Sequence, residues 1–374
     1  MSFQNFRQGT LYISSKMVGP EYIDFNARAI LSLSEKKLDF VFGGARTGMM
    51  GLVSDLALAA GRKVSGVIPH KLAEAGMEHP KLTDLIFVDD MASRRREMTS
   101  RGDFIINFSG GVGTADEGVE AALWLHQGLH NKPVFFAAPN GFWDGVKSFF
   151  ESLHENGLID ELTHSRLIFC DTPEMIASHL TKLDTEPAFN CLDEKTYQYD
   201  EDVLKDPHSP AFFDFSLKSD TSHPLEEFAR LINVMIHNQI LPDSIFMRPI
   251  AVLDPDGLFE NTVEKWLNHM IEQGFALDHD KGTYTSAPTE RELESKLAIL
   301  VDRIEKIKSS GSYTAETLKS KWNNHNLDGI ISQYKWHYLR IKDKYFHPSF
   351  EDSSQRSIPL WDVPKLTRDH DLGL

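Results

Sequence analysis

Short apolar runs alternate with amphipathic stretches along the first 180 residues of the chain. Four or five consecutive apolar residues with few charges are typical of strands that are buried on both faces. The runs predict strands at residues 10–13, 39–42, 64–68, 85–88, 104–108, 134–137 and 167–170. Residues 22–33 and 50–60 show the spacing of helices. This alternation predicts an α/β fold with a Rossmann-like, doubly wound parallel sheet.

The pattern changes after about residue 180. Residues 184–224 combine prolines and aspartates with aromatic side chains, which favours a packed connector over a disordered linker. Beyond the connector, the spacing predicts helices at 225–236 and 262–273, strands at 250–253 and around Tyr284, and a helix from about Leu293. We therefore expect two domains, residues 1–183 and 184–374, the second being a C-terminal α+β or mainly helical extension.

A glycine-rich turn follows the apolar run 104–108 and leads into a helical pattern. It contains Gly110, Gly111 and Gly113, followed by Thr114. Because glycine has no Cβ, backbone N–H groups can approach an anion closely here, and the dipole of the following helix adds partial positive charge. We expect a phosphate at this turn, with the Thr114 hydroxyl as a further donor.

A carboxylate and a cluster of arginines accompany this turn. Glu117 lies on the same helix face as Thr114, roughly 5.4 Å further along the axis. Because a phosphate repels a carboxylate, Glu117 suggests a chemical role or a nearby cation, and Arg94, Arg95 and Arg96 precede the same strand. The alternative is a solvated arginine run and a first-turn glutamate that the helix dipole favours.

A second glycine turn, Gly43 and Gly44, follows the run 39–42. Both turns fall at carboxyl ends of strands, the edge where open α/β sheets bind ligands. Neither turn has the spacing G-x-G-x-x-G, and no acidic residue stands convincingly about 20 residues after the first. A nicotinamide dehydrogenase is therefore disfavoured, and a phosphate without a dinucleotide is preferred.

These motifs together resemble the LONELY GUY (LOG) family of nucleoside 5′-monophosphate phosphoribohydrolases, often mislabelled lysine decarboxylases. The family pattern P-G-G-x-G-T-x-x-E is matched at Gly110, Gly111, Gly113, Thr114 and Glu117. The upstream motif M-H-x-R-K is matched at Met91 and Arg94, and further matches lie in residues 43–51, 66–69 and 124–133. The resemblance covers about residues 8 to 180, so the proposed first domain is LOG-like and the function of residues 184–374 stays open.

The resemblance implies a reaction and a set of site residues. The implied reaction is hydrolysis of the N-glycosidic bond of a nucleoside 5′-monophosphate to a free base and ribose 5-phosphate, with no metal or organic cofactor. Arg94 and Glu117 are the implied catalytic residues. The implied phosphate and nucleotide ligands are Gly110, Gly111, Gly113, Thr114, Gly43, Gly44, Ser14 and Arg95.

Two further expectations depend on this resemblance. Pairing with Arg94 is expected to lower the pKa of Glu117, which would then be charged at neutral pH. The family also implies a homodimer, with Trp124 and Leu125 of the helix after Glu117 at the contact.

Several positions depart from the family pattern. Ser109 replaces its proline, Ala45 a glycine, Ala92 the histidine, Arg95 the lysine, and Ile13 the glycine of G-S-S. These changes favour an unusual substrate, or a weakened or lost activity. The main alternative from another class is a non-catalytic nucleotide or molybdenum-cofactor carrier or sensor of the same fold. A lysine decarboxylase is disfavoured, because nothing marks a pyridoxal-phosphate lysine.

Charge and composition restrict the partners. The net charge of −16 divides into −5 for residues 1–180 and −11 for the remainder, so neither half has the basic surplus of a nucleic-acid binder. No apolar run is long enough for a transmembrane helix, the first residues lack the order of a secretory signal, and two cysteines support no disulfide framework. We expect a cytoplasmic protein with no membrane partner.

Overall fold

The computed structural model describes residues 3–17, 19–74, 76–184, 188–192, 209–219, 223–240, 248–275 and 282–309. The strands in those residues are β1 (Gln8–Tyr12), β2 (Asp39–Phe42), β3 (Val64–Pro69), β4 (Asp84–Val88), β5 (Phe104–Phe108), β6 (Val134–Ala137), β7 (Leu167–Cys170), β8 (Ala211–Asp214), β9 (Ile250–Leu253) and β10 (Tyr284–Ala287).

The helices in the same parts of the chain are α1 (Pro20–Glu35), α2 (Gly48–Ala59), α3 (His70–Glu74), α4 (Met91–Arg101), α5 (Val112–His126), α6 (Asp144–Glu155), α7 (Glu161–Arg166), α8 (Pro173–Leu183), α9 (Pro224–Ile240), α10 (Glu264–Glu272) and α11 (Glu290–Ser309). A π-helical turn, Phe259–Val263, leads directly into α10. None of these described helices is long and apolar enough to cross a membrane.

The first seven strands form one parallel sheet in the order β4-β3-β2-β1-β5-β6-β7. Strand β1 pairs with β2 on one side and with β5 on the other, so the order of the strands reverses beside β1. In open parallel sheets, ligands bind outside the carboxyl ends of the strands at this point of reversal. The predicted Rossmann-like, doubly wound sheet is confirmed.

The burial of the strands explains why they can be recognised in the sequence as apolar runs. Every residue of β3, β5 and β6 is buried, because helices cover both faces of the central sheet. The edge strand β4 is only partly buried. Continuous apolar runs therefore mark the central strands, and glycine turns at their ends mark where the chain leaves the sheet.

A second, smaller sheet follows in the C-terminal part of the chain. Its three strands pair in parallel in the order β10-β9-β8, and α9 and α10 lie between them in sequence. Strand β8 lies within the segment 184–224 that was predicted as a connector. Residues 185–187, 193–208 and 220–222 of that segment are outside the described residues. The four residues of β8, with Pro210 directly before them, carried too little pattern to be predicted as a strand.

The two sheets belong to one compact unit, Met1–Leu327. Helix α9 packs along α5, the helix that follows the glycine turn. Trp266 of α10 stacks on Trp143, with ring centroids 5.7 Å apart. A shared hydrophobic core therefore joins the C-terminal sheet to the helices beside the candidate site.

Candidate active site

Three loops meet at the carboxyl edge of the large sheet, where the strand order reverses. The loop after β1 carries Ser14, the loop after β2 carries Gly43 and Gly44, and the loop after β5 carries Gly110 and Gly111. Parallel strands place their carboxyl ends at one edge, which explains why three separated stretches of sequence come together here. These five predicted ligand residues thus lie at a single edge of the sheet.

The glycine turn ends at the start of α5. Gly111 is the N-cap residue of this helix, and no side chain caps it. A Cβ on Gly110 would overlap the Thr114 side chain, so glycine lets the turn close against the helix. The Ser109 hydroxyl before the turn is buried and has no hydrogen-bond partner among the described residues. The first N–H groups of α5 are therefore suited to an anion.

Two glycines of this turn have different surroundings. A Cβ on Gly113 would meet no described atom within 4 Å, whereas a Cβ on Gly111 would lie 2.9 Å from the carbonyl oxygen of Phe275. The space beside Gly113 is therefore open for a ligand. The space beside Gly111 is occupied by the C-terminal part of the chain, which sequence reasoning did not place at the site.

Helix α4 brings Arg94 to the same edge. Its Nε donates to the carbonyl oxygen of Val67 at 3.2 Å, and its Nη2 donates to that of Gly43 at 3.2 Å. A Cβ on Gly43 would overlap the guanidinium group, so this glycine makes room for the arginine. Nη1 lies 3.6 Å from Oε1 of Glu117. Arg94 is thus fixed by two backbone carbonyls and faces Glu117.

Both ends of α4 are anchored. Asp90 caps its N-terminus, with Oδ1 accepting from the N–H of Ser93 at 2.6 Å. At the other end, the buried Lys132 ammonium donates to the carbonyls of Thr99 and Ser100, and burial lowers the pKa of Lys132 to about 8. Sequence reasoning noted Lys132 only as part of a family motif. The structure shows that it holds the helix that carries Arg94.

The electrostatics of Glu117 differ from the expectation. Burial raises the pKa of Glu117 to about 7, although Arg94 and Arg95 lower it and Asp116 raises it further. The expected depression of this pKa is wrong, because the cost of desolvating the carboxylate outweighs its attraction to Arg94. The two groups are 3.6 Å apart, and Arg94 also donates hydrogen bonds to two backbone carbonyls. Glu117 therefore titrates near neutral pH, which is common for groups that exchange protons during catalysis.

Arg95 turns away from Glu117 toward the rest of α5. Its Nη1 donates to Oδ2 of Asp116 at 2.9 Å, and its Nε lies 2.7 Å from Oε2 of Glu120. All three side chains are buried. This cluster joins α4 to α5 and so sets the distance between Arg94 and Glu117. The phosphate-binding role predicted for Arg95 stays a prediction.

Similarity to known proteins agrees with this arrangement. A family profile described as "Possible lysine decarboxylase" matches residues 50–180. A cytokinin riboside 5′-monophosphate phosphoribohydrolase of Rhodococcoides fascians is 41% identical over 140 residues, which are 37% of this chain and 71% of that protein. The chain belongs to this family, the LOG family.

Two other similarities extend the comparison. A probable LOG-family phosphoribohydrolase of Oryza sativa subsp. japonica is 35% identical over 150 residues, which are 40% of this chain and 65% of that protein. A molybdenum cofactor binding protein from Rippkaea orientalis, with 16% identity and a TM-score of 0.39, covers 49% of this chain and 100% of its own. The C-terminal half of this LOG-family chain is unmatched.

The face of α5 that was expected to form a dimer contact is covered within the LOG-family chain itself. Trp124 is 1% exposed and Leu125 is 4% exposed, and α9 packs along the same helix. These two side chains therefore do not offer a free surface to a second copy. The homodimer stays a prediction that Trp124 and Leu125 do not support.

Sequence reasoning missed several residues that shape the site. Asp116 and Glu120 could have been found, because two carboxylates four residues apart in a mostly apolar helix indicate a buried cationic partner. Phe275 had no such signal, because it lies more than 160 residues from the glycine turn in a segment without a motif.

Proposed function

We propose that this protein hydrolyses the N-glycosidic bond of a nucleoside 5′-monophosphate, releasing the free base and ribose 5-phosphate. The observation that carries the proposal is the buried Glu117 in the second turn of α5, close to a helix N-terminus suited to phosphate, with a pKa that burial raises to about 7. Membership of the LOG family, whose members are nucleotide phosphoribohydrolases, supports the same kind of reaction.

The substrate's phosphate would lie on the N–H groups at the start of α5, in the open space beside Gly113. The Thr114 hydroxyl would donate to the same phosphate. Glu117 lies in the second turn of α5 and is not a first-turn glutamate, so this placement would extend the ribose along the first two turns of the helix toward Glu117. Ser14, Gly43 and Gly44 border the same edge and would contact the remainder of the nucleotide.

Cleavage breaks the bond between C1′ and the base nitrogen and forms a bond between C1′ and a water oxygen. The bond electrons leave with the base, and positive charge develops on the sugar. The ionised Glu117 carboxylate stabilises this charge and accepts one proton from the attacking water. That proton is passed to the nitrogen of the departing base, so the reaction consumes one water and neither gains nor loses a proton overall. Arg94 favours the ionised form of Glu117 and fixes its position.

The direct test is a panel of nucleoside 5′-monophosphates incubated with the pure protein, with ribose 5-phosphate as the measured product. Cytokinin-type nucleotides belong in the panel, because relatives carry that name. We expect release of ribose 5-phosphate from at least one nucleotide and much less efficient cleavage of the matching nucleoside. If nucleoside and nucleotide were cleaved with equal efficiency, the placement of the phosphate would be wrong. If no nucleotide in the panel released ribose 5-phosphate, the proposed reaction would be wrong.

Gly113→Val gives a sharper test of where the phosphate binds. Because a Cβ at this position meets no described protein atom within 4 Å, the variant should fold normally and weaken nucleotide binding. Gly111→Val is the contrasting variant, since its side chain meets the Phe275 carbonyl and should also lower stability. Unchanged affinity in Gly113→Val would place the phosphate elsewhere.

The family resemblance also supports a homodimer in the cytoplasm, which we retain as a proposal. Sedimentation at several protein concentrations tests the dimer. If a dimer forms, its contact must use surfaces other than Trp124 and Leu125, or α9 must move.

A further inference from the structure

A helical hairpin that leads into β7 carries two histidines and a glutamate close together. His154 lies in the last turn of α6, and Glu161 and His164 lie on α7. Because Glu161 and His164 are three residues apart in a helix, they share one face of α7. The nitrogen or oxygen atom that each of the three side chains could offer to a metal ion lies within 4.8 Å of the other two. The hairpin therefore gathers three metal-ligating groups.

The backbone of this hairpin is anchored at both helix ends. Gly157, with a φ of 71°, ends α6, and its N–H donates to the carbonyl of His154 at 2.9 Å. Asp160 then caps α7, with Oδ1 accepting from the N–H of Thr163 at 2.7 Å. Leu153 is buried in the hydrophobic core. Capping and packing therefore fix the backbone that carries the three side chains.

The three side chains face one another across the hairpin. The rings of His154 and His164 stack in parallel, with centroids 4.1 Å apart and an angle of 1° between their planes. Nε2 of His154 lies 3.4 Å from Oε2 of Glu161. Nδ1 of His154 is buried and has no hydrogen-bond partner among the described residues. A metal ion would therefore not displace a described protein group from that nitrogen.

The types of ligand indicate which cation would fit. Two imidazoles with centroids 4.1 Å apart repel each other when both are protonated, whereas a metal ion binds both in their neutral form. Two histidines and one glutamate are ligands typical of Zn²⁺ and similar transition-metal ions, whereas Mg²⁺ and Ca²⁺ prefer oxygen ligands. The Glu161 side chain is 81% exposed, so water can complete the coordination. The group therefore suits an ion of the zinc type.

Small side-chain movements separate this group from a coordinating arrangement. Ligands bound to a tetrahedral zinc ion at about 2.1 Å lie about 3.4 Å apart. Nε2 of His154 and Oε2 of Glu161 already have this separation. The His164 side chain is only half-buried, so its rotation would bring in the third ligand.

The metal-ligating group lies at the edge of the large sheet opposite to the candidate active site. Helix α6 begins after the carboxyl end of β6, and α7 leads into the amino end of the parallel strand β7, so the hairpin lies at the amino edge. The glycine turns and the start of α5 lie at the carboxyl edge. A metal ion in the hairpin would therefore have a structural role, separate from the proposed hydrolysis.

The same hairpin anchors the C-terminal part of the chain. His223, directly before α9, accepts at Nδ1 from the N–H of Leu225 at 3.2 Å. Its Nε2 must then carry the proton, which it donates to the carbonyl of Leu158 at 2.8 Å. Leu158 lies between α6 and α7. Fixing the hairpin would therefore also fix the point where α9 is anchored.

We propose that His154, Glu161 and His164 bind a divalent transition-metal ion of the zinc type, which joins α6 to α7 and stabilises the hairpin that anchors α9. The ligands come from two helices, so the site forms only when the hairpin is folded. Binding at this site requires no nucleotide and is independent of the proposed reaction.

The experiment measures Zn²⁺ binding to the full chain by calorimetry. The chain has 16 histidines, so variants assign the site. Glu161→Gln changes an exposed side chain, should fold normally, and should weaken binding of the tightest Zn²⁺ at least about 10-fold, since even the loss of an outer-shell partner costs this much. His164→Gln should weaken it at least as much, and excess Mg²⁺ should not displace the Zn²⁺. His179→Gln on α8 is the matched control and should leave the affinity unchanged.

Hydrogen exchange locates the bound ion. Zn²⁺ should slow exchange of the backbone amides of residues 153–166 in the wild type and should not slow it in Glu161→Gln. Residues 91–101 of α4 are the internal control. The inference is overturned if the wild type binds Zn²⁺ no more tightly than Glu161→Gln and His164→Gln, or if Zn²⁺ slows exchange only outside the hairpin. Neither result depends on whether a nucleotide is hydrolysed.

Discussion

Two ionic contacts between α4 and α5 differ in how closely their charges are paired. One is a pair of residues and the other is a cluster of three. Arg94 and Glu117 stand 3.6 Å apart with side chains 10% and 11% exposed. Arg95 and its partners Asp116 and Glu120 lie at 2.9 and 2.7 Å, with side chains 3 to 6% exposed. The first pair is loosely joined at the carboxyl edge of the large sheet, and the second cluster is closely joined inside the protein.

The difference shows how one helix pair can hold a closely paired ionic cluster and, beside it, a carboxyl group whose pKa is raised. A buried arginine with two close carboxylates holds α4 on α5, since separating such charges inside a protein is costly. The neighbouring Glu117 has a more distant partner, so burial dominates and raises its pKa to about 7. The closely paired charges hold the two helices together, and Glu117 is the less compensated carboxylate on which the proposed reaction depends.

The largest expected effect is on stability. Arg95→Met leaves two buried carboxylates without their guanidinium group and should lower the free energy of unfolding by about 3–5 kcal/mol. Arg94→Met should cost less, because its pair is longer and closer to solvent. Denaturant unfolding of both variants, with Arg95→Lys as the conservative control, measures the difference. Equal losses from Arg94→Met and Arg95→Met would remove the distinction between the two pairs.

The next effect is on turnover. Glu117→Gln removes the charge that acts in the transition state and should lower kcat on the best panel nucleotide by about 10²-fold or more, with little change in nucleotide binding. Glu120→Gln is the matched control, because it changes the same residue type one turn along α5. It should lower the melting temperature more than kcat. A Glu117→Gln enzyme with wild-type kcat would refute the mechanism.

The smallest effect is on pH dependence. Since the pKa of Glu117 is about 7 and the proposed reaction uses its ionised form, activity should be half-maximal near pH 7, approach its maximum about one pH unit higher, and fall about tenfold per pH unit well below pH 7. The substrate phosphate also titrates, near pH 6, and would contribute to the pH dependence of the rate. The titration of the Glu117 carboxyl group should therefore be measured directly. Carbon NMR of labelled glutamate side chains, assigned with Glu117→Gln, gives its pKa. A value near 4 would contradict the effect of burial.

The large sheet could be predicted because its signals are local. A strand such as Phe104–Phe108 is buried at every position, so its apolar run matches its bounds in the structure. The glycine turn was predictable for a similar reason, since backbone approach to an anion depends on consecutive residues. Strand β8 was missed, because four residues beside a proline do not show a period.

By itself, the sequence determined the order of strands and helices, the glycine turn at the end of β5, and the presence of Arg94 and Glu117 among the motif residues. These features depend on short-range periodicity and on residues that are contiguous in the chain. Only the tertiary structure decided that Arg94 faces Glu117 while Arg95 faces Asp116 and Glu120, that the pKa of Glu117 is raised, and that the Phe275 carbonyl lies near Gly111 and Lys16. Desolvation and ion pairing depend on which distant segments pack together, and that information is absent from any local pattern.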